Sequence, residues 1–466
     1  MTIYILGGGP TGMAVAQGLM DSGNYDFVVF ESNSQFGGLA TTINWEGVGL
    51  HDLGPHKLFT LDDTLMNRVK NLLSPDKWIT RKKVSSIFMG GKFLPYPPSP
   101  LSLIGIYGPL KFLRMSLGFL IAKITLPFRK KPISFEEDLM GRVGSQLYQI
   151  LFEPIAKKIW GNPKELSLKL SEGRIQTPSI IEILSNLLGR RKQSKFEALS
   201  FEYPKGGLIE LWNAIHSSGK ELNFRSNVRV SNIEIEDKKI KSFEVKTSVG
   251  VEEIVLSHDD FVVSTLPITQ TYGMVATYME ENLLDTAVES IVLNDLALVF
   301  FHIDSNELFG ESWIFVPDPE IIFHRVSEQN SFDPAMVILG SIVCAEVMLT
   351  GEKERYLNLE DVLILECEKD LKKLTKMDFS ILASKVIVLK NSYPVYKVGF
   401  EKSLEKLIAQ LDRIDNFKTV GRQGSYNYIG TLDAMDIGFG FTRWYNDLKL
   451  NWESERIRTN NYPVLD

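Results

Sequence analysis

Thr2-Ile3-Tyr4-Ile5-Leu6-Gly7-Gly8-Gly9-Pro10-Thr11-Gly12 opens the chain and decides its fold. Thr2 to Leu6 has the apolar, β-branched character of a short buried strand. Gly7, Gly9 and Gly12 follow with G-x-G-x-x-G spacing, and Met13 to Met20 continues at helical period. Phe27 to Phe30 is a second apolar strand, closed by Glu31 nineteen residues after Gly12. In such a loop the first glycine makes the tight turn and the second lets backbone approach a pyrophosphate. The third lets helix pack on strand, the helix N-terminus faces the phosphates, and the acid hydrogen-bonds a ribose diol. With all parts in register, the segment reads as a dinucleotide-binding βαβ unit rather than a tight αβ turn that binds nothing.

Glu31 is followed by Gly37-Gly38 and Leu39-Ala40-Thr41. That run resembles the continuation in FAD-binding Rossmann proteins, where a second glycine pair lies close to the flavin. Only one fingerprint occurs, so one tightly held dinucleotide is expected, and FAD is favoured over NAD.

The rest of the composition bounds the protein. At 466 residues, 44% apolar and 23% charged, the chain has the balance of a soluble globular protein with ample core. Cys344 and Cys367 are the only cysteines, which rules out a disulfide framework or a CxxC site. Six scattered histidines show no HExxH, so no metal is expected. The first strand begins at residue 2, leaving no room for a signal peptide. The expectation is a cytoplasmic protein, at most peripheral at the inner face of a membrane.

The net charge of −7 is unevenly spread: eleven Lys or Arg and no acid lie between Asp76 and Glu136. Inside that stretch, Leu101 to Pro127 is strongly apolar, but three charges divide it, and the uncharged piece from Met115 to Ala122 is only eight residues long. That piece falls short of the roughly 20 apolar residues that span a bilayer. Two readings of residues 101–131 stand open. One is a basic amphipathic helix on an anionic membrane. The other, which the sequence favours, is a cap-domain helix with Phe112, Leu113 and Leu120 buried and a solvated basic face. Nucleic acid is not expected as a partner, because the rest of the chain is acidic and the basic ends lack interleaved aromatics.

Further along, Val84 to Leu94 suggests a hairpin at Gly90-Gly91, and the chain then reads mainly helical to about Arg191. Asn227 to Ile235 with Lys239 to Lys246 forms a second hairpin, and Asp260 to Thr265 a buried strand. Both look like a return to the nucleotide domain. Ile291 to Ile303, Trp313 to Val316, Ile321 to Val326 and Met336 to Val343 predict an antiparallel sheet, followed by helices at Asp361 to Leu374 and Leu404 to Leu411. Phe417 to Gly421 is a last strand and Thr431 to Leu448 a last helix. The expected architecture is α/β: a discontinuous Rossmann-type FAD-binding domain (1–75, 203–275 and 412–466), a helical insert or cap (76–202), and an antiparallel-sheet substrate domain (276–411). A ligand would lie between them, outside the strand ends.

Several landmarks together resemble the UDP-galactopyranose mutase and protoporphyrinogen-oxidase-like branch of the flavin amine oxidase superfamily. Beyond the fingerprint they are Leu53-Gly54-Pro55-His56, Lys92-Phe93-Leu94-Pro95-Tyr96-Pro97, Lys158-Ile159-Trp160-Gly161, Tyr203 to Gly207, Ser264-Thr265-Leu266-Pro267, Tyr393-Pro394-Val395-Tyr396 and Gly421-Arg422-Gln423-Gly424. The resemblance covers nearly the whole chain. It implies that Arg174 and Arg325 clamp the diphosphate of a nucleotide sugar, work suited to a planar fork that never deprotonates. Tyr393, Tyr426 and Tyr428 would contact substrate phosphate, Trp160 would floor the site, and His56 would lie beside the flavin. Gly7, Gly9, Gly12, Glu31, Gly38, Leu39, Val228, Gly421, Asp433 and Met435 form the implied cofactor set. Two departures stand out: Ile155 replaces an aromatic that stacks on uracil, and Phe59 replaces a second histidine. No cysteine follows Cys367, so FAD would be held noncovalently. Two reactions fit, a mutase on a phosphorylated or nucleotide-linked sugar and hydride transfer from substrate to flavin. The oligomeric state is left open.

Overall fold

A computed structural model of the chain describes residues 1–96, 98–172, 199–278, 285–447 and 449–459. The opening strand is β1 (Ile3–Leu6), and β2 (Phe27–Phe30) lies parallel beside it. The chain returns to this pair from far away. β13 (Phe261–Ser264) takes the other side of β1, β19 (Phe417–Thr419) pairs with β13, and β9 (Phe224–Arg225) pairs with β2. All contacts in this sheet, ordered β19-β13-β1-β2-β9, are parallel. Parallel strands covered on both faces need continuous apolar sequence, and Ile3, Ile5, Phe27, Val29, Val262, Val263 and Phe417 are all buried. Helix α1 (Pro10–Asp21) lies against the sheet so closely that a Cβ on Gly12 would sit 2.0 Å from the Gly7 carbonyl oxygen.

The second large sheet has seven strands, ordered β18 (Ile381–Val395), β14 (Val292–Ile303), β17 (Ser341–Leu349), β16 (Arg325–Glu328), β15 (Trp313–Phe315), β6 (Ser85–Met89) and β7 (Lys92–Pro95). All its pairings are antiparallel except β15 with β6. The helix Glu360–Leu374 covers one face through Leu363, Cys367, Leu371 and Leu374. Leu298, Phe300, Ile342 and Met348 form a separate core on other side chains of the same strands.

Several elements differ from the sequence reading. β6 and β7, assigned above to the helical insert, complete the seven-stranded sheet through Trp313 opposite Ser85. The hairpin expected in the nucleotide domain is present, but it gains a third strand: β10 (Arg229–Glu236), β11 (Lys239–Thr247) and β12 (Gly250–Val255) form an antiparallel meander that stays out of the parallel sheet and packs on it, Phe243 against Tyr4 and Phe30. The meander's polar, exposed positions would not tolerate a doubly covered parallel sheet. The strand expected at Ile321 starts only at Arg325, and the one expected at Met336 starts at Ser341. The helical insert begins with α3 (Pro100–Thr125), after α2 (Asp63–Lys70), and continues with α4 (Phe135–Val143). Against expectation, Leu113 is 65% and Leu120 42% exposed and Phe112 only half-buried. The α3 stripe containing Leu113 and Leu120 faces away from the neighbouring helices.

One buried acid fixes the loop that will matter most. β3 (Thr42–Trp45) and β4 (Gly49–Asp52) form a hairpin, and β5 (Trp78–Lys82) pairs with β8 (Ser200–Pro204). Asp52 ends β4, where Oδ1 accepts from Thr42 Oγ1 at 2.6 Å and Oδ2 from the Tyr203 hydroxyl at 2.6 Å. Thr42 Oγ1 in turn accepts from Ile209 N–H at 3.1 Å, at the start of the helix Ile209–Ser218. Burial pushes the Asp52 carboxyl up to about 6, although both donors oppose the shift. A folded value above the unfolded carboxylate value of about 4 means that the folded state takes up a proton as pH falls through about 6. Asp52 therefore adds stability on acidification. Urea titrations should show wild type gaining about 1 kcal/mol over Asp52→Asn between about pH 7 and about pH 5. A gap that does not change with pH would contradict this.

Candidate functional site

Just after Asp52 the chain enters the loop Leu53 to Phe59, which forms one side of a cleft of about 380 Å³ between the two large sheets. The opposite side is the glycine loop. α1 starts at Gly9 without a side-chain cap and with Pro10 in its first turn. The helix Thr431–Asn446 also brings its N-terminal residues, Gly430 to Asp433, to the cleft. Unpaired N–H groups and the helix dipole make both ends suited to an anion.

Gly7, Gly9, Glu31, Gly38, Leu39 and Asp433 from the sequence-derived cofactor set all line this cleft. A Cβ built on Gly9 would meet only Gly38 Cα, at 4.0 Å, so this position opens into the cleft. Glu31 Oε2 accepts from Gly8 N–H at 2.9 Å, and Oε1 accepts from Asn33 N–H at 2.9 Å and Asn33 Nδ2 at 3.0 Å. The carboxylate is thus fixed in place, and Oε2, which has a single donor, keeps a lone pair for a ribose hydroxyl. Burial pushes the Asp433 carboxyl up to about 6, while its Oδ2 accepts from Gly430 N–H at 3.2 Å. An uncapped helix start, an open glycine and a fixed carboxylate are what a bound FAD would require, and they fit it.

Four cofactor candidates act through the scaffold instead. Gly12 makes the close helix–strand contact described above. Val228 is buried and donates its N–H to the Glu31 carbonyl at 2.8 Å. Gly421, at φ +93°, stands where a Cβ would be 2.6 Å from Thr11 Oγ1. Met435 is fully buried in the core, directly after Ala434, which lines the cleft.

At the far end of the cleft lie His56, Arg325, Tyr393 and Tyr428. His56 Nε2 is 3.1 Å from the Leu53 carbonyl, which can only accept, so Nε2 carries the proton. Burial, aided by Arg325 and Arg422, pushes this imidazole down to about 4, and it is neutral at physiological pH. The rings of Tyr393 and Tyr428 meet edge-on with centroids 5.3 Å apart, and Arg422 lies over both at 5.6 and 4.9 Å. Arg422 donates to the Ile429 carbonyl, and at 3.4 Å to that of Ser392. Arg325 is gripped by Glu346: Nε donates to Oε1 at 2.6 Å and Nη2 to Oε2 at 2.8 Å. Burial alone would weaken the guanidinium, but Glu346 more than offsets it and raises its pKa.

Two expected substrate contacts do not reach the cleft. The Tyr426 ring is fully buried, and its hydroxyl donates to the Val292 carbonyl at 2.6 Å while accepting from Val395 N–H at 3.2 Å. It ties the Tyr-Pro strand to β14. Trp160 stands behind Tyr428, with ring centroids 6.2 Å apart, and supports that ring rather than flooring the site. Arg174 lies outside the described residues. Sequence reasoning missed Lys57, Arg422 and Glu346, which all line the cleft. Glu346 had a signal: a lone acid in the apolar strand Ser341 to Leu349 must find a cation.

A larger, open cavity of about 740 Å³ lies beside the helices Glu153–Ile159 and Glu360–Leu374. Two of its lysines have acidic partners, Lys157 with Glu153 at 2.7 Å and Lys373 with Asp370 at 2.6 Å. Lys158 donates to the Val316 and Phe323 carbonyls at 2.7 and 3.0 Å.

Comparison with known proteins agrees with the geometry. Residues 5–74 match the family of NAD(P)-binding Rossmann-like domains. A structure of reduced UDP-galactopyranose mutase superposes with a TM-score of 0.82 at 19% identity, covering 99% of this chain and 98% of the other. A putative protoporphyrinogen oxidase from Exiguobacterium sp. 255-15 gives 0.73 at 16% identity, over 96% and 99%. Putrescine oxidase bound to putrescine gives 0.60 at 12%, over 96% and 99%. From its glycine loop to its seven-stranded sheet, the chain shares the fold of these solved structures.

Proposed function

We propose that the protein is an FAD-dependent enzyme that acts on a phosphorylated or nucleotide-linked sugar. One observation carries this reading: Arg325, Arg422, Tyr393 and Tyr428 converge on one end of a cleft whose other end is the uncapped start of α1. FAD bound there supplies a flavin ring able to act as nucleophile or hydride acceptor. The protein's own groups do the rest. Arg422 and the two tyrosines present a cation and two hydroxyls to a phosphate. Arg325, locked by Glu346, cannot swing away and offers its remaining N–H groups in a fixed direction. Neutral His56, with its proton on Nε2, leaves Nδ1 able to accept a proton or hydrogen bond.

Glu346 also favours a second reading. It neutralises one of the cations the site presents, which suits a substrate of lower charge that loses hydride to the flavin. The two readings separate in one assay. Dithionite-reduced enzyme incubated anaerobically with nucleotide sugars should yield ring isomers without net oxidation. Bleaching of the oxidised flavin by a substrate, with no isomer formed, would establish the hydride-transfer reading instead.

The arginine fork gives a further test. Arg325→Ala would strand Glu346 as a buried unpaired charge, costing about 3–5 kcal/mol of stability and obscuring any effect on binding. Arg325→Lys keeps the charge and loses the fork. It should fold with its cofactor, while KM for the productive substrate rises about tenfold or more. An unchanged KM would show that Arg325 serves only Glu346.

A further inference from the structure

We infer that the outer face of α3 docks the protein onto an anionic phospholipid surface. Ser99 accepts from Ser102 N–H to start the helix, which kinks at Gly108 (φ +75°) and Pro109. Beyond the kink, Leu110, Leu113, Leu117, Leu120, Ile121 and Ile124 are spaced at helical period, and all are exposed, from 42% to 65%. At 3.6 residues per turn they form one stripe opposite Met115 and Ala122, which are buried. Leu126 and Phe128 extend the exposed apolar surface, Phe128 being 88% exposed. An apolar patch of this size on a soluble surface marks an interaction site.

The charges identify the partner. Lys111 and Arg114 lie on the exposed part of the same helix, Lys123 flanks the stripe, and Arg129, Lys130 and Lys131 follow its end, all exposed except half-buried Lys123. No acid occurs between Asp76 and Glu136. A second copy of the chain fits poorly, because a two-fold contact would bring this basic surface against itself. Lipid headgroups of opposite charge over an apolar layer match both features.

The packing also sets the orientation. Residues Pro100–Phe128 are long and apolar enough to cross a membrane by length and composition, unlike the shorter uncharged piece read from the sequence. Yet the inner side is in use. A Cβ on Gly144 would lie 2.7 Å from the Gly118 carbonyl oxygen, and Met115 and Ala122 are buried against the body. With only one stripe available, the helix lies in the plane of the interface.

The test is sedimentation of the full chain with phosphatidylcholine vesicles, with and without phosphatidylglycerol. The protein should pellet with the phosphatidylglycerol vesicles, less so as salt shortens the Debye length. Leu113→Glu/Leu117→Glu and Arg129→Gln/Lys130→Gln/Lys131→Gln should each weaken binding about tenfold or more. Both sets lie on the exposed surface, so thermal unfolding should match wild type. Absence from the phosphatidylglycerol pellet would overturn the inference, as would equal binding to phosphatidylcholine alone. So would a dimer that Leu113→Glu/Leu117→Glu converts to monomer while vesicles have no effect.

Discussion

Backbone meets backbone at the head of α1, and the rest of the molecule is arranged around that contact. Gly12 lets the helix touch the Gly7 carbonyl, and Gly438, from the last long helix, stands where a Cβ would be 2.3 Å from the Thr11 carbonyl oxygen. The second contact brings the C-terminal helix against the first turn of the N-terminal one. Two helix starts therefore open into one cleft although their residues are more than four hundred positions apart. Any larger residue at these points would force the helices apart and misdirect the N–H groups that face the cleft.

The cleft's electrostatics follow from burial. Its charged groups are fixed by partners before any ligand arrives: Glu31 by Gly8 and Asn33, Arg325 by Glu346, Asp433 by Gly430. His56 avoids the cost of a buried charge by staying neutral. Such a site changes little when ligand binds, and its affinity comes from groups already aligned. Asp52 serves the same end from outside, joining Thr42 and Tyr203 at the base of the loop that carries His56.

The nucleotide half of the fold was legible because its constraints are local. A strand, a glycine turn and a helix within thirty residues leave few alternatives, and Gly7, Gly9, Glu31, Gly38 and Leu39 all line the cleft. The substrate half depends on distant pairing. β18, the longest of the described strands, is hidden in the sequence, because Ile381 to Val395 has lysines and asparagine along an edge that faces water. Tyr426 and Trp160 were placed in the site because their neighbours belong there, but side-chain direction is set by packing that the sequence does not display. The exposed stripe of α3 illustrates the same limit. Apolar periodicity reveals a face, and only the packing of Met115, Ala122 and Gly144 shows which face the protein keeps for itself.

The central claim is that this cleft holds FAD without a covalent bond. Acid precipitation of the purified protein, with mass and absorbance analysis of the supernatant, tests it most directly. The account predicts a yellow protein that releases one FAD per chain and leaves a colourless pellet. Release of NAD, absence of any flavin, or colour retained in the pellet would contradict it.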